Sequence, residues 1–230
     1  MIKYSDMTQN TEWKDRALGF LARSRQELWG KHNEDIMAWL FLKGFKNRFI
    51  KDALIGWNKR PKERPAVHWG FGPDFTCEHV KQGNLYFPPG IVIPYIVETS
   101  LTKLVIVGCD DSSGHLPYLV PGSSATPMIL RGNPHRVALV QNILHGLFIH
   151  QELGDSITVV VPDIGFSPDH LNELDVIVNA EEVRVFPDPT LGEFMGSESD
   201  PMMHGTIDEF IKTAGYDLAG GYPDQNRKSL

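Results

Sequence analysis

The sequence predicts an α/β protein (α+β overall) with a small helical N-terminal region, a short antiparallel β subdomain and a parallel-sheet βαβαβ domain. Two changes of pattern support this prediction. Apolar residues recur at helical spacing over the first 65 residues and give way to short β-branched runs near residue 90; from residue 136 apolar strands alternate with helical segments. Such alternation favours a parallel sheet with right-handed crossovers. We therefore expect regions at 1–65, 66–134 and 135–215, followed by a flexible tail over 216–230.

Three amphipathic helices are expected in the first region. The segment "TEWKDRALGFLARSRQELWG" places Trp13 and Leu21 on one helical face. The segment "NEDIMAWLFLKG" has Asn33 as its N-cap and Gly44 as its stop. The third segment, "KNRFIKDALIG", is expected to end at Gly56.

The middle region is expected to contain one regular feature. The stretch "WNKRPKERPAVHWGFGPDFTCEHVKQGNLYFPPG" is rich in Gly and Pro, which predicts a loop with little regular structure. The runs "GIVIPYIVE" and "LTKLVIVGC" then predict an antiparallel hairpin, and "LPYLVPGSSATPMIL" predicts irregular strand and turn.

The last region predicts the parallel sheet. Its strands are "RVALV", "SITVVVPD" and "EEVRVFPD", and its helices are "NILHGLFIHQELG" and "SPDHLNELDVIVN". A further helix, "GTIDEFIKTAG", has a capping box formed by Thr206 and Glu209.

Charge is distributed unevenly along the chain. Residues 1–65 hold 14 Lys and Arg against 8 Asp and Glu, although the whole chain has a formal net charge of −7. A basic first third predicts an anionic partner, and the alternative is an ordinary solvated face on small helices. No segment approaches the roughly 20 apolar residues of a membrane span, and no signal peptide is evident, so a cytoplasmic protein without a membrane partner is expected. Cys77 and Cys109 are too few and too far apart for a zinc finger.

A run of cations after the second helix is the predicted nucleic-acid-binding surface. Its aromatic neighbours are Phe45, Phe49 and Trp57. Cations can follow phosphates while aromatic rings stack on bases, which predicts single-stranded DNA as a partner. The alternative is that Phe49 and Trp57 belong to the core and the cations form their solvated rim. The cations are Lys43, Lys46, Arg48, Lys51, Lys59 and Arg60.

The order of these segments resembles a known family. The helices are followed by "IGWN", "FPPGIVIPY" and "PYLVPGSSATPMIL", then by the alternating strands and helices, then by "GTIDEFIKTAG". This order resembles the TOPRIM-domain DNA primase-like proteins of phages and mobile elements, relatives of bacterial primase, over about residues 10–215. The resemblance implies a TOPRIM-like sheet and a role in DNA replication. It also implies that this chain is the central module without the zinc finger and helicase regions.

The resemblance further implies where catalytic residues would stand. TOPRIM chemistry uses carboxylates at strand tips to hold Mg²⁺, a hard cation that prefers oxygen ligands. Here Gln141 matches the glutamate position, His145 matches the aspartate position and Asp188 is a single acid where a pair is expected. Asp163 and Asp188 are the remaining metal-ligand candidates. The catalytic positions thus look degenerate, and no cofactor is expected, or Mg²⁺ if the protein is active.

An ordinary structural role is also open for these residues. Gln141 and Asn142 would satisfy backbone groups at a helix start, while His145 and His150 would be common helix histidines. The strand after "GIVIPY" strengthens the idea of lost catalysis, because "GCDDSSGHLPY" has acids where relatives carry basic residues.

Three functions follow. The first is a pseudoenzyme that binds nucleic acid or a replication protein. The second is an active metal-dependent DNA primase or nucleotidyltransferase completed by a partner. The third is an inhibitor or decoy that keeps the primase fold. Whether the chain is an enzyme stays open at this point, with inactivity favoured.

Overall fold

The computed structural model describes residues 11–75, 77, 80–109, 117–162 and 174–186. Two compact units divide the chain, one within Met1–Ser124 and the other within Ala125–Leu230. Helices combine with antiparallel and mixed sheets, so the predicted fold class is confirmed. The finer boundaries at residues 65, 134 and 215 stay predictions.

The described elements follow in chain order. The helices are α1 (Thr11–Leu28), α2 (Glu34–Leu42), α3 (Asn47–Asp52), α4 (Ile143–Leu153) and α5 (Asp175–Val178). The strands are β1 (Gly56–Asn58), β2 (Lys62–Pro65), β3 (Val80–Lys81), β4 (Asn84–Phe87), β5 (Gly90–Val97), β6 (Ser100–Val107), β7 (Tyr118–Leu119), β8 (Met128–Leu130), β9 (Arg136–Val140), β10 (Thr158–Val161) and β11 (Glu182–Phe186). No helix within these described ranges is long and apolar enough to cross a membrane.

The three N-terminal helices occur where the sequence predicts them. The end of α3 and the N-cap of α2 differ from the prediction. Helix α3 stops at Asp52, and Gly56 instead begins β1, because its strand pairs with β5. A Cβ on Gly56 would lie 2.8 Å from the Cβ of Ser24, so only glycine lets β1 approach α1 this closely. Asn33 occupies the N-cap position of α2 without a capping hydrogen bond, and its Nδ2 donates to the carbonyl of Leu28 instead.

Helix α1 carries much of the core of the first unit. It buries Trp13, Ala17, Phe20 and Leu21 against the sheet of order β1-β5-β6-β7, and Trp13 Nε1 donates a 2.7 Å hydrogen bond to the Pro121 carbonyl. The β5–β6 hairpin is antiparallel, which confirms the predicted hairpin.

The prediction of an irregular loop after residue 57 is wrong. Strands β2, β4 and β3 form a three-stranded antiparallel sheet, and Ala66–Trp69 forms a short 3-10 helix. The reason is that Leu85 and Phe87 alternate with half-buried residues along β4 and are fully buried. Only two buried side chains alternate along β4, and they lie within a Gly- and Pro-rich stretch. Their period-2 pattern is therefore too short to predict a strand.

The second unit contains the predicted parallel strands. Its sheet has the order β11-β9-β10-β8, and β9 pairs in parallel with both β10 and β11. Strand β8 adds an antiparallel edge to β10, in a segment predicted to be irregular strand and turn. Helix α4 packs on β10 so closely that a Cβ on Gly146 would lie 2.5 Å from Val161 Cγ2. The predicted helix with the Thr206–Glu209 capping box and the tail lie outside the described residues.

Candidate nucleic-acid interface

The end of β9 passes directly into α4 through two polar residues. Strand β9 ends at Val140, Gln141 and Asn142 follow, and α4 begins at Ile143. The Asn142 Oδ1 accepts hydrogen bonds from the backbone N–H groups of Leu144 at 2.9 Å and His145 at 3.3 Å. Asn142 is therefore the N-cap of α4, which is the structural role that the sequence offers for it.

His145 lies inside the second unit. Its side chain is 1% exposed, and its ring meets the ring of Phe186 edge to face, with centroids 6.0 Å apart. Phe186 is the last residue of β11 and is the register partner of Val140 in β9. The first turn of α4 thus places His145 against the end of the neighbouring strand. Gln141 is half-buried at the same strand end.

The predicted metal ligands lie outside the part of the chain that the structure describes. Asp163 and Asp188 both lie outside the described residues, as do Asp110 and Asp111. In the ranges that the structure describes, no group of three or more His, Cys, Asp or Glu could hold a metal ion. The assignments of Asp163 and Asp188 to metal, and of Gln141, His145 and Asp188 to a degenerate catalytic site, stay predictions.

Five of the six predicted nucleic-acid-binding cations are exposed, and Lys43 is half-buried. We call this set the basic surface: Lys43, Lys46, Arg48, Lys51, Lys59 and Arg60. Three of its lysines lie over tryptophan rings. Lys43 is 5.5 Å from the centroid of Trp39, Lys51 is 5.0 Å from that of Trp29, and Lys59 is 5.3 Å from that of Trp57. These contacts hold the ammonium groups beside aromatic faces.

One arginine of the basic surface forms an ion pair within its own helix. Arg48 pairs with Asp52 one helical turn away at 3.5 Å, and both side chains are exposed, at 93% and 68%. An ion pair this exposed stabilises little and can exchange for a phosphate. Phe45 is 2% exposed and stacks on Phe49, so Phe45 belongs to the core. Phe49 and Trp57 are half-buried, which fits neither a fully buried core position nor a freely exposed ring.

A second cationic feature was not predicted. A pocket of about 310 Å³ in the first unit is lined by Arg16, Arg23, Arg64 and His68, together with Phe20 and Trp69. Arg16 and Arg23 are seven residues apart on α1 and therefore share a face. That spacing is the only signal available in the sequence, because Arg64 and His68 come from the segment expected to be a loop.

Two ionisable groups of the second unit have shifted pKa values. Burial lowers the pKa of His150 on α4, and the charge of Asp155 opposes this in part. Hydrogen bonds from Arg136 and Arg184 lower the pKa of Glu182 in β11. Glu182 Oε2 accepts from Arg136 Nε at 2.9 Å, across the parallel pair of β11 and β9. The ion pair between Glu182 and Arg136 stabilises the sheet at the end where β9 and β11 begin.

Comparison with known proteins identifies the fold. No family model matches the chain, and no curated protein matches its sequence. Among solved structures, it resembles the RNA polymerase domain of Mycobacterium tuberculosis primase DnaG in complex with a double-stranded DNA oligomer with a 6-nucleotide overhang. The TM-score is 0.56 at 12% identity, and the match covers 84% of this chain and 71% of that one.

Two other solved structures agree. The DnaG primase catalytic domain bound to single-stranded DNA gives a TM-score of 0.54, and the DnaG catalytic core gives 0.56. Each is 12% identical over 79% of this chain, and this chain spans 64% of each of them. The chain therefore has a primase-like fold, which confirms the fold implied by the resemblance in its sequence.

Proposed function

We propose that this protein is a DNA-replication module of a phage or mobile element that binds single-stranded DNA through the basic surface and has lost metal-dependent catalysis at the β9–α4 junction. The observation that carries the proposal is the position of His145. Where the family resemblance expects a metal-binding aspartate, an imidazole is enclosed against Phe186. Neither Gln141 nor His145 brings the negative charge that Mg²⁺ needs.

The basic surface supports the nucleic-acid part of the proposal. Lys46, Arg48 and Lys51 are exposed on and beside α3. Lysines held over Trp29, Trp39 and Trp57 combine a cation with an aromatic face, the two groups that bind phosphates and bases of a single strand. Two of the similar solved structures are complexes with single-stranded DNA or with overhang-bearing duplex DNA. These complexes favour a nucleic-acid partner for the shared fold.

The DNA-binding part is tested by a charge-removing triple substitution. We expect Lys46→Ala/Arg48→Ala/Lys51→Ala to weaken binding to a single-stranded oligonucleotide by about tenfold or more. The slope of log K against log salt should fall by about 2, since each lost phosphate contact removes about 0.7 for a single strand. The matched control is Lys14→Ala/Lys31→Ala/Arg131→Ala, which removes the same charge elsewhere and should leave most of the slope intact. Equal losses in both variants would contradict a site at the basic surface.

The catalytic part is tested by primer synthesis. The wild-type protein, incubated with single-stranded template, nucleotides and Mg²⁺ or Mn²⁺, should make no primer. Its melting temperature should not rise with millimolar metal, because a ligand specific for the folded state must stabilise it. Primer synthesis would support the alternative of an active primase or nucleotidyltransferase. Absence of DNA binding at every salt concentration would instead support a decoy or a module that binds a replication protein.

A further inference from the structure

We propose that the pocket between α1 and the β2–3-10 segment is a binding site for a phosphate chain, such as the polyphosphate of a nucleotide or the 5′-phosphate end of a nucleic acid. It is distinct from the basic surface and is assigned no role by the primase resemblance. We call it the arginine pocket, and it is defined by Arg16, Arg23, Arg64, His68, Phe20 and Trp69.

The pocket is built from two elements that approach each other. Arg16 and Arg23 project from α1, and Phe20 lies between them on the same face. The opposite wall is Arg64 at β2 and the following 3-10 helix, which contributes His68 and Trp69. Phe20 and Trp69 are each 3% exposed and contact edge to face, so they form a fixed base to the pocket. The four polar side chains are therefore the groups that a ligand would meet.

The charge in the pocket is not neutralised by the described protein. Among the described residues, no carboxylate forms an ion pair with Arg16, Arg23 or Arg64. Glu27, one turn after Arg23 on α1, binds elsewhere: its carboxylate accepts from Lys62 Nζ at 2.8 Å and from the Lys59 N–H at 3.1 Å. Three guanidinium groups around one pocket repel each other, and a multiply charged anion would relieve that repulsion.

The chemistry of the side chains selects the class of ligand. Guanidinium groups present paired N–H donors that match phosphate oxygens, and they keep their charge at any ordinary pH. A volume of about 310 Å³ accommodates a short phosphate chain with part of a nucleoside. Since Phe20 and Trp69 are buried, little aromatic surface is left for a base to stack on. Phosphate rather than base recognition is therefore expected.

Gly19 lies beside one of the arginines of the pocket. It lies between Arg16 and Arg23 on α1, where glycine costs a helix about 1 kcal/mol relative to alanine. Within the described residues, a Cβ at this position would meet only the flexible Nη1 of Arg23, at 3.7 Å. Packing among the described residues does not require this glycine. A methyl group here would contact the Arg23 guanidinium, the group that we expect to bind the ligand.

The test is a binding titration with defined probes. Isothermal titration with tripolyphosphate, with ATP and with oligonucleotides bearing 5′-phosphate or 5′-hydroxyl ends distinguishes the possible sources of the phosphate chain. We expect binding of tripolyphosphate, and either ATP or the 5′-phosphorylated oligonucleotide identifies the natural source. Arg23→Gln should weaken binding about tenfold, because one charge-assisted contact is lost. Arg23→Glu should abolish it, and both variants should fold because Arg23 is exposed.

Controls separate this proposal from the function proposed above. Arg131→Gln, an exposed arginine of the second unit, should bind all probes as the wild type does. Lys46→Ala/Arg48→Ala/Lys51→Ala should weaken the binding of single-stranded DNA but leave the binding of tripolyphosphate unchanged. Gly19→Ala should raise thermal stability and weaken tripolyphosphate binding. Absence of tripolyphosphate binding by the wild type, or equal weakening by Arg23→Gln and Arg131→Gln, would overturn the arginine pocket without affecting the basic surface.

Discussion

The ring of His145 meets the ring of Phe186 edge to face, at an interplanar angle of 90°. His145 lies in the first turn of α4 and Phe186 ends β11, so this contact holds the start of the helix against the sheet at the strand tips. The sequence resemblance assigns a metal-binding aspartate to this position, and the proposal of lost catalysis rests on the aromatic contact found there.

The first prediction follows from this contact. His145→Asp would replace a ring that is 1% exposed and packs on Phe186 by a buried carboxylate, so we expect it to lower the free energy of unfolding at pH 7 by about 3 kcal/mol. His145→Leu keeps a similar volume and should cost about 1 kcal/mol. Urea unfolding of both variants measures the difference. If His145→Asp is as stable as the wild type and gains stability with Mg²⁺, the junction is still open to a cation.

The second prediction concerns the packing of α4 on β10. Gly146→Ala should destabilise the protein by about 1–3 kcal/mol, because the new methyl group would overlap Val161 at 2.5 Å. Gly72→Ala is the matched control, since a Cβ there meets nothing within 4 Å of the described protein. Thermal unfolding of the two variants is the measurement. Similar melting temperatures would show that α4 does not approach β10 so closely.

The third prediction is a pH dependence from His150. Burial lowers its pKa in the folded state below the ordinary value of 6.5, so the unfolded chain takes up the proton first as the pH falls. The folded state should therefore lose stability as pH decreases from above 6.5 through the folded-state pKa. His150→Gln removes this contribution. The free energy of unfolding of the variant, relative to that of the wild type, should therefore rise as the pH is lowered from 7.5 to 5. A constant difference across that range would contradict the burial of His150.

The fourth prediction concerns the hydrogen bond from Trp13 to Pro121. Trp13→Phe removes the donor and leaves the Pro121 carbonyl without its 2.7 Å contact in a buried site. We expect a loss of about 1–3 kcal/mol in the free energy of unfolding. Trp29→Phe is the control, because Trp29 is only half-buried and its ring can still face Lys51. Equal losses in both variants would mean that the hydrogen bond contributes little.

Local patterns in the sequence were sufficient for most of the regular elements. Helix α1 and the β5–β6 hairpin have long apolar periodicities, and the capping role of Asn142 depends only on its neighbours in sequence. The pairing of β8 with β10 and the β2-β4-β3 sheet were not predicted, because these strands are short and depend on pairing with distant segments. Their burial is visible only after the chain has folded.

Sequence patterns were less informative for the sites. The basic surface is a run of cations and could be predicted directly, although its contacts with tryptophans could not. The arginine pocket joins Arg16 and Arg23 of α1 to Arg64 and His68, over 40 residues later in the chain. Only tertiary structure brings these side chains together. The burial of His145 likewise depends on β11, which contributes Phe186.

The most direct test of the central claim is a fluorescence-anisotropy titration of single-stranded DNA over a series of NaCl concentrations, once in EDTA and once in Mg²⁺ at matched ionic strength. We expect a linear fall of log K with log salt and the same affinities in EDTA and Mg²⁺, because binding relies on side-chain cations and not on a bound metal. Binding that requires Mg²⁺, or no binding at any salt concentration, would contradict it.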